Sequence, residues 1–220
     1  MLDGGALDKL KVALIDDHQL FREGLRALLG SQPDLKVVGE AADAREGYGL
    51  VESQRPDVVV LDVSLPGVDG IAATRELRRR VSASKVLILT MHAGEEYAAE
   101  ALSAGAAGYA LKTQPGHAVA DAIRAVARGD LYLAPGLSRA AVDERRLHDG
   151  GGPLAPLSVR EREVFALLVR GFSNQAVAGE LCISAKTVET HRAHIHRKLG
   201  IHSVAELIRF AALHGLILEH

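Results

Sequence analysis

VVVLDVSLPG, residues 58–67, runs four apolar residues, three of them β-branched, straight into Asp62. Pro66-Gly67 then mark a turn shortly after. VVVL is apolar on both faces, as a central parallel strand must be when helices cover both sides of a sheet. Working outward, further strands are expected at KVALID (11–16), KVVGEA (36–41), KVLILT (85–90) and GYALK (108–112), with the central one over 57–62. Amphipathic stretches near 18–29, 44–54, 70–81, 94–104 and 116–128 lie between and after them. Strands alternating with helices of this length form βαβ units and a parallel sheet. The expectation is an α/β fold: a flavodoxin-like, doubly wound, five-stranded parallel sheet in the order 2-1-3-4-5.

The rhythm then changes. LSRAAVDERRLHDGGGPLAP (137–156) carries charge, three consecutive glycines and two prolines, and reads as a linker with a short helix in its first half. After Leu157 only helices are expected. Ser158 and Glu161 form a capping box that opens a helix running to about Arg170, with Gly171 as its stop. Ser173 or Asn174 caps a second helix, and Ser184 caps a third, AKTVETHRAHIHRKL, closed by Gly200. Ser203 with Glu206 opens a fourth. The tight turn around Cys182-Ile183 joins the second and third at helix-turn-helix spacing. Cys182, set between Leu181 and Ile183, is expected to fill the core. An all-α, four-helix domain follows the sheet, and no internal repeat is visible.

The composition is that of an ordinary soluble globular protein, long enough for one large domain or two small ones: 220 residues, 48% apolar, 25% charged, no Trp and one Cys. A lone Cys forms no internal disulfide, which suits a reducing compartment. The first residues show no basic segment followed by an apolar one, and no apolar run reaches the roughly 18 residues that span a bilayer. A cytoplasmic location is expected. Net charge is −2, but the stretch from Leu157 carries +2 and the remainder −4. A mildly basic tail behind an acidic front suits two domains with different partners.

Why should the central strand end in a carboxylate? In an open parallel sheet, ligands bind beyond the carboxyl ends of the strands, where the strand order reverses. Asp62 ends the third strand and Asp16-Asp17 end the first, its expected neighbour. Three converging carboxylates repel one another unless a cation relieves them. Oxygen ligands suit a hard ion, Mg²⁺ above all. Thr90 ends the fourth strand with a hydroxyl and Lys112 the fifth with an ammonium. Together these groups can cradle a phosphoryl group, and a strand-end aspartate is a feasible covalent acceptor. Taken singly, each has a blander use: Asp16 and Asp17 as helix caps, Asp62 as a turn residue, Thr90 as a cap, Lys112 as a solvated charge. The joint pattern favours the pocket.

Asp16-Asp17, LDVSLPGVDG, LILT and GAAGYALK resemble the receiver domain of bacterial two-component response regulators over roughly residues 10–130. The resemblance implies that Asp62 accepts a phosphoryl group from a sensor histidine kinase. It implies that Asp17, Asp62 and the carbonyl of Ser64 hold Mg²⁺, with Asp16 assisting through water. It gives Thr90 and Lys112 to the phosphoryl oxygens and makes Tyr109 a switch aromatic. Thr113 stands where many receivers carry a cis proline, and Met91 where many carry a small residue. The bulk of Met91 is expected to narrow access to the pocket and slow the loss of phosphate.

In the third tail helix, Val188, Ile195 and Leu199 share one face at about 100° per residue, with His191 at its border. Lys186, Thr190, Ala193 and Arg197 lie roughly opposite, with Glu189 and His194 at the sides. Small central residues flanked by cations suit a helix pressed into a DNA major groove. A solvated charged face is the blander use, and the His191/His194 spacing lacks the partners that a zinc site needs. The stretch 157–201 resembles the LuxR-type helix-turn-helix, so the whole chain is similar to NarL/FixJ-type response regulators. That implies base-facing Glu189, Thr190 and Ala193, phosphate-facing Lys186, Thr187, Arg192 and Arg197, double-stranded promoter DNA as partner, and a homodimer. The expected domains are 8–130 (receiver), 131–154 (linker) and 155–220 (helix-turn-helix). A phosphorylation-controlled transcription factor is expected rather than an enzyme, because aspartate-based phosphotransferases place a second acid where Ser64 stands. A receiver-like domain that is never phosphorylated is the other rival, and the complete set of acids, hydroxyl and lysine counts against it.

Overall fold

Five parallel strands, β1 (Leu10–Ile15), β2 (Leu35–Ala41), β3 (Val58–Leu61), β4 (Lys85–Thr90) and β5 (Gly108–Leu111), lie in the expected order 2-1-3-4-5. The structure, a computed structural model, describes residues 9–65, 68, 70–148 and 153–216. The turn expected at Pro66-Gly67 and the glycine run at 150–152 lie outside the described residues. The chain divides into two compact units that meet between Val142 and Asp143.

In the first unit, helices α1 (Gln19–Gly30), α2 (Ala44–Gln54), α3 (Gly70–Arg80), α4 (Glu95–Ser103) and α5 (Gly116–Arg128) alternate with the strands. Side chains of a strand point alternately to its two faces. Val12, Leu14, Val58, Val60, Leu87 and Leu89 therefore meet Leu25 and Leu29 of α1 and Val119, Ile123 and Val126 of α5 in one core. Ala13, Ile15, Val59, Leu61 and Ile88 point the other way and are equally buried, with Ile71 and Leu77 of α3. Covering both faces is what makes VVVL apolar throughout.

The register sets the pocket. Ile15 pairs with Leu61, so Asp16 and Asp62 leave the sheet side by side, and the N–H of Asp62 donates to the carbonyl of Ile15 at 2.9 Å. The N–H of Lys112 donates to the carbonyl of Thr90 at 2.8 Å, which brings the end of β5 to the end of β4.

The sheet has a sixth strand that corrects the five-stranded expectation. β6 (Tyr132–Leu133) extends the edge of β5, with Gly108 opposite Tyr132 and Tyr109 opposite Leu133. A two-residue strand has too few positions for an alternation to show, so it was hidden in the stretch expected as a linker. The same stretch carries helix α6 (Arg139–His148).

The second unit holds α7 (Val159–Val169), α8 (Asn174–Glu180), α9 (Ala185–Leu199) and α10 (Val204–Leu213). Ser158, Ser173, Ser184 and Ser203 each accept the backbone N–H three residues on, which satisfies one orphan donor per helix. The core gathers Val164, Phe165 and Leu168 with Val177, Val188, Ile195, Leu207 and Ala211. Cys182 is corrected: it is exposed, with φ at +51°. The corner between α8 and α9 needs a left-handed residue there, which turns the side chain out of the core its apolar neighbours enter. Among the described residues, no helix is long and apolar enough to cross a membrane.

Candidate functional site

Asp16, Asp62 and Lys112 form the buried floor of a pocket beyond the strand ends. Lys112 Nζ donates to Asp62 Oδ2 at 2.8 Å and lies 2.6 Å from Asp16 Oδ2. Asp62 is only 2% exposed, whereas Asp17 reaches solvent. The loop after β3 curls back onto Asp62, because the N–H of Ser64 donates to Asp62 Oδ1 at 3.1 Å. Gly70, which opens α3, allows this turn: a Cβ there would lie 2.4 Å from Val63 Cα and 2.5 Å from the Asp62 carbonyl oxygen. On the other side Arg22 donates to the Asp16 carbonyl. The Lys112 ammonium lies 4.7 Å from the Phe21 ring centre, a cation–π distance.

Charge in this pocket is unbalanced: three carboxylates face one ammonium. Burial raises the pKa of Asp62; the charge of Asp16 adds to the rise, while Lys112 and the Ser64 N–H oppose it. Burial alone would depress Lys112, but Asp62 and Asp16 outweigh it and hold the amine charged. Among the described residues, one cluster of side chains offers metal donors: Asp16, Asp17, His18 and Asp62, with one donor atom each and all within 4.8 Å of one another. Oxygen-rich, short of positive charge, and open to solvent on the Asp17 and His18 side, it fits a hard divalent cation.

Thr90 is fully buried at the end of β4, and its Oγ1 accepts the N–H of His92 at 3.3 Å. Tyr109 is buried on β5, and its hydroxyl donates to the His92 carbonyl at 2.8 Å. The loop 91–94 thus bridges Thr90 and Tyr109, with the His92 ring stacked on Tyr97 at 4.5 Å and 3.5 Å from Ser64 Oγ. Met91 is 64% exposed, so its bulk is not packed into the pocket. Sequence reasoning missed His18 and His92. His18 directly follows the acid pair and was legible as a neighbour, whereas His92 is placed by a loop whose course the sequence does not reveal.

On α9, Val188, His191 and Ile195 are buried while Lys186, Glu189, Ala193 and Arg197 are exposed and Thr190 and Arg192 are half-buried. Lys186 pairs with Glu189 at 3.2 Å. Thr187 stands apart from the other expected contacts: it is 8% exposed, and its hydroxyl lies 2.7 Å from Ser184 Oγ in the helix cap. Arg160 and Glu161 of α7 brace this unit. Arg160 donates to the Leu181 carbonyl at 2.7 Å and so closes the end of α8. Glu161, 1% exposed, accepts the Ser158 N–H at 2.7 Å and Lys198 Nζ of α9 at 2.6 Å.

Residues 12–124 match the response regulator receiver domain family, and residues 155–211 match the bacterial regulatory proteins of the luxR family. The oxygen regulatory protein NreC of Staphylococcus carnosus is 38% identical over 209 residues, covering 92% of this chain and 96% of the relative. The transcriptional regulatory protein MctR of Rhizobium johnstonii is 38% identical, with 95% and 96% covered. A crystal structure of a LuxR-family two-component response regulator from Aurantimonas sp. superposes with a TM-score of 0.59 at 40% identity, covering 63% of this chain and 99% of that one. These relatives are regulators, not enzymes. A receiver-type acidic pocket and a helix-turn-helix in one chain, matched by relatives along almost its full length, place it in the two-component response regulators with a luxR-type DNA-binding domain.

Proposed function

We propose that Asp62 accepts a phosphoryl group from a sensor histidine kinase and that this controls transcription through α9. The observation that carries the reading is the single ammonium of Lys112, held 2.6 and 2.8 Å from Asp16 and Asp62 beside a third carboxylate at the carboxyl end of a parallel sheet. A carboxylate oxygen of Asp62 attacks the phosphorus as the P–N bond to the kinase's phosphohistidine breaks, the imidazole leaves with the kinase, and Lys112 and Thr90 receive the equatorial oxygens. Asp17, Asp62 and the Ser64 carbonyl would hold Mg²⁺, with Asp16 acting through water. The ion supplies charge neutralisation at the transferring group. Burial around Asp62 excludes water from competing hydrogen bonds and strengthens these contacts.

Acyl phosphate at Asp62 replaces the free carboxylate that faces Lys112 and offers new oxygens to Lys112 and Thr90. Thr90 holds the N–H of His92, whose carbonyl holds Tyr109. A small differential stabilisation along this chain shifts the population of the domain's surface states. The helical unit then pairs as a homodimer on promoter DNA, with half-sites about one helical turn apart. Glu189, Thr190 and Ala193 face bases, and Lys186, Arg192 and Arg197 face phosphates. Thr187 acts through its cap, which points the first turn of α9. The unphosphorylated protein masks its DNA-binding unit in the cytoplasm. Masking predicts that residues 150–220 alone bind DNA more tightly than the whole unphosphorylated chain.

Incubation with a small acyl phosphate and Mg²⁺, followed by intact mass measurement, tests the reading. One phosphoryl adduct is expected, absent in Asp62→Asn. Continuous release of product, or an adduct that survives Asp62→Asn, would overturn it.

A further inference from the structure

We infer that His18 is a direct ligand of the pocket cation, through Nδ1, and that it shifts the pocket's preference from Mg²⁺ toward first-row transition dications. The inference rests on the reading above that the acidic cluster holds a divalent ion. His18 Nδ1 lies 2.9 Å from Asp17 Oδ1, 3.3 Å from Asp16 Oδ1 and 3.9 Å from Asp62 Oδ2. An octahedral ion with bonds of about 2.1 Å spaces adjacent donors about 3.0 Å apart and opposite donors about 4.2 Å apart. The separations to Asp17 and Asp62, the two carboxylates that would bind the ion directly, fall close to the adjacent and the opposite spacing, and Asp16, which acts through water, stands beside them. A single histidine–carboxylate pair would explain one such distance. Two direct-ligand carboxylates at these spacings place Nδ1 where it can share one ion with both.

The backbone prepares this position. The His18 N–H donates to Asp16 Oδ1 at 2.9 Å, and the residue sits at the N-cap of α1, where its side chain makes no capping bond. The imidazole is therefore directed at the carboxylates instead of the helix end. Three carboxylates against Lys112 leave room for two further positive charges, so a dication and a neutral imidazole satisfy the site together. Mg²⁺ favours oxygen and keeps its waters, whereas an imidazole nitrogen adds affinity for borderline ions. Replacing one oxygen ligand by nitrogen moves the selectivity without abolishing Mg²⁺ binding.

Mn²⁺ is the probe, because stronger binders would also occupy histidines outside the pocket, six of the ten lying beyond Leu157. Untagged full-length protein, His18→Ala, His18→Asn and Asp17→Asn are titrated with Mn²⁺ and with Mg²⁺, and pulsed EPR of the Mn²⁺ form reads directly bound nitrogen. His18 is 62% exposed at its side chain, so both substitutions leave the core untouched. Both are expected to weaken Mn²⁺ by about tenfold or more and Mg²⁺ by less than about twofold, and to remove the nitrogen signal. Absence of that signal in the parent protein, or equal losses for the two ions, overturns the role of His18 while leaving the pocket as a cation site. If the parent binds neither ion, or Asp17→Asn changes neither affinity, the cation site itself falls and the inference with it.

Discussion

Each unit buries a carboxylate, under opposite conditions. Asp62 shares one ammonium, Lys112, with Asp16 and has Asp17 close by. Glu161 takes Lys198 at 2.6 Å, the Ser158 N–H at 2.7 Å, and His194 at 3.7 Å, with no second acid in the group. Burying a charge costs several kcal/mol unless partners replace its water. Glu161 has those partners and ties α7 to α9, a role in architecture. Asp62 also has an ammonium and the Ser64 N–H, but it shares that ammonium with Asp16, and burial with the Asp16 charge holds its pKa up. A buried charge left short of partners is kept for something that arrives, which is why strained ionisation gathers at functional sites.

The largest expected effect is at Asp62. Asp62→Asn should abolish phosphorylation and also stabilise the first unit at neutral pH without added divalent ion. The sign follows from the raised pKa. A carboxyl whose folded pKa lies above its unfolded value contributes stability fully at pH below the unfolded value of 3.8, and that contribution is lost as pH rises through the folded pKa. Thermal melts of both proteins between about pH 4 and pH 8 should therefore diverge as pH rises, the variant melting higher. Equal melting curves would place Asp62 with Glu161, as a satisfied charge.

Glu161→Ala should do the reverse. It removes the capping-box acceptor and the buried partner of Lys198, at a cost of about 3 kcal/mol to the helical unit. Because Lys198 keeps 31% of its side chain exposed, the stranded ammonium regains water and the cost stays at the lower end for a broken buried pair. Urea unfolding should show this unit melting early and the receiver unit unchanged.

Gly70 separates what was legible in the sequence from what was not. The five long strands and the helices between them were legible, because β-branched runs alternate with helical periodicity over five repeats of the pattern. Asp16, Asp62, Thr90 and Lys112 were legible with them, because a strand's last residue is fixed by where its apolar run stops. Gly70 looked only like a helix start, yet its missing Cβ is what lets α3 close over the Val63 backbone. β6 was too short to show a period, and the outward turn of Cys182 depends on a φ that its apolar neighbours conceal. Lys198 lies 37 residues from Glu161, so the capping box was readable and its ion pair was not. Gly70→Ala should cost about 2 kcal/mol, since the close atoms are backbone and cannot rotate away, and should slow phosphorylation by displacing the loop that starts at Asp62. Chevron and acyl phosphate kinetics on the same protein check both.

The smallest effect tests whether the exposed face of α9 is a phosphate-binding surface or only a solvated one. Arg197 is exposed there, opposite the buried Val188 and Ile195. If it neutralises one phosphate, Arg197→Ala should lower the slope of log affinity against log salt by about 0.9 and weaken all DNA sequences alike. Lys186→Ala should change the slope less, because Glu189 at 3.2 Å already offsets part of its charge. Glu189→Gln should accordingly steepen the slope slightly and raise affinity for every sequence, unless Glu189 accepts from a cytosine amino group, in which case one base position loses its preference. A slope unmoved by all three substitutions would remove this face from the interface and leave the helical unit without the exposed charge that sets it apart from the pocket.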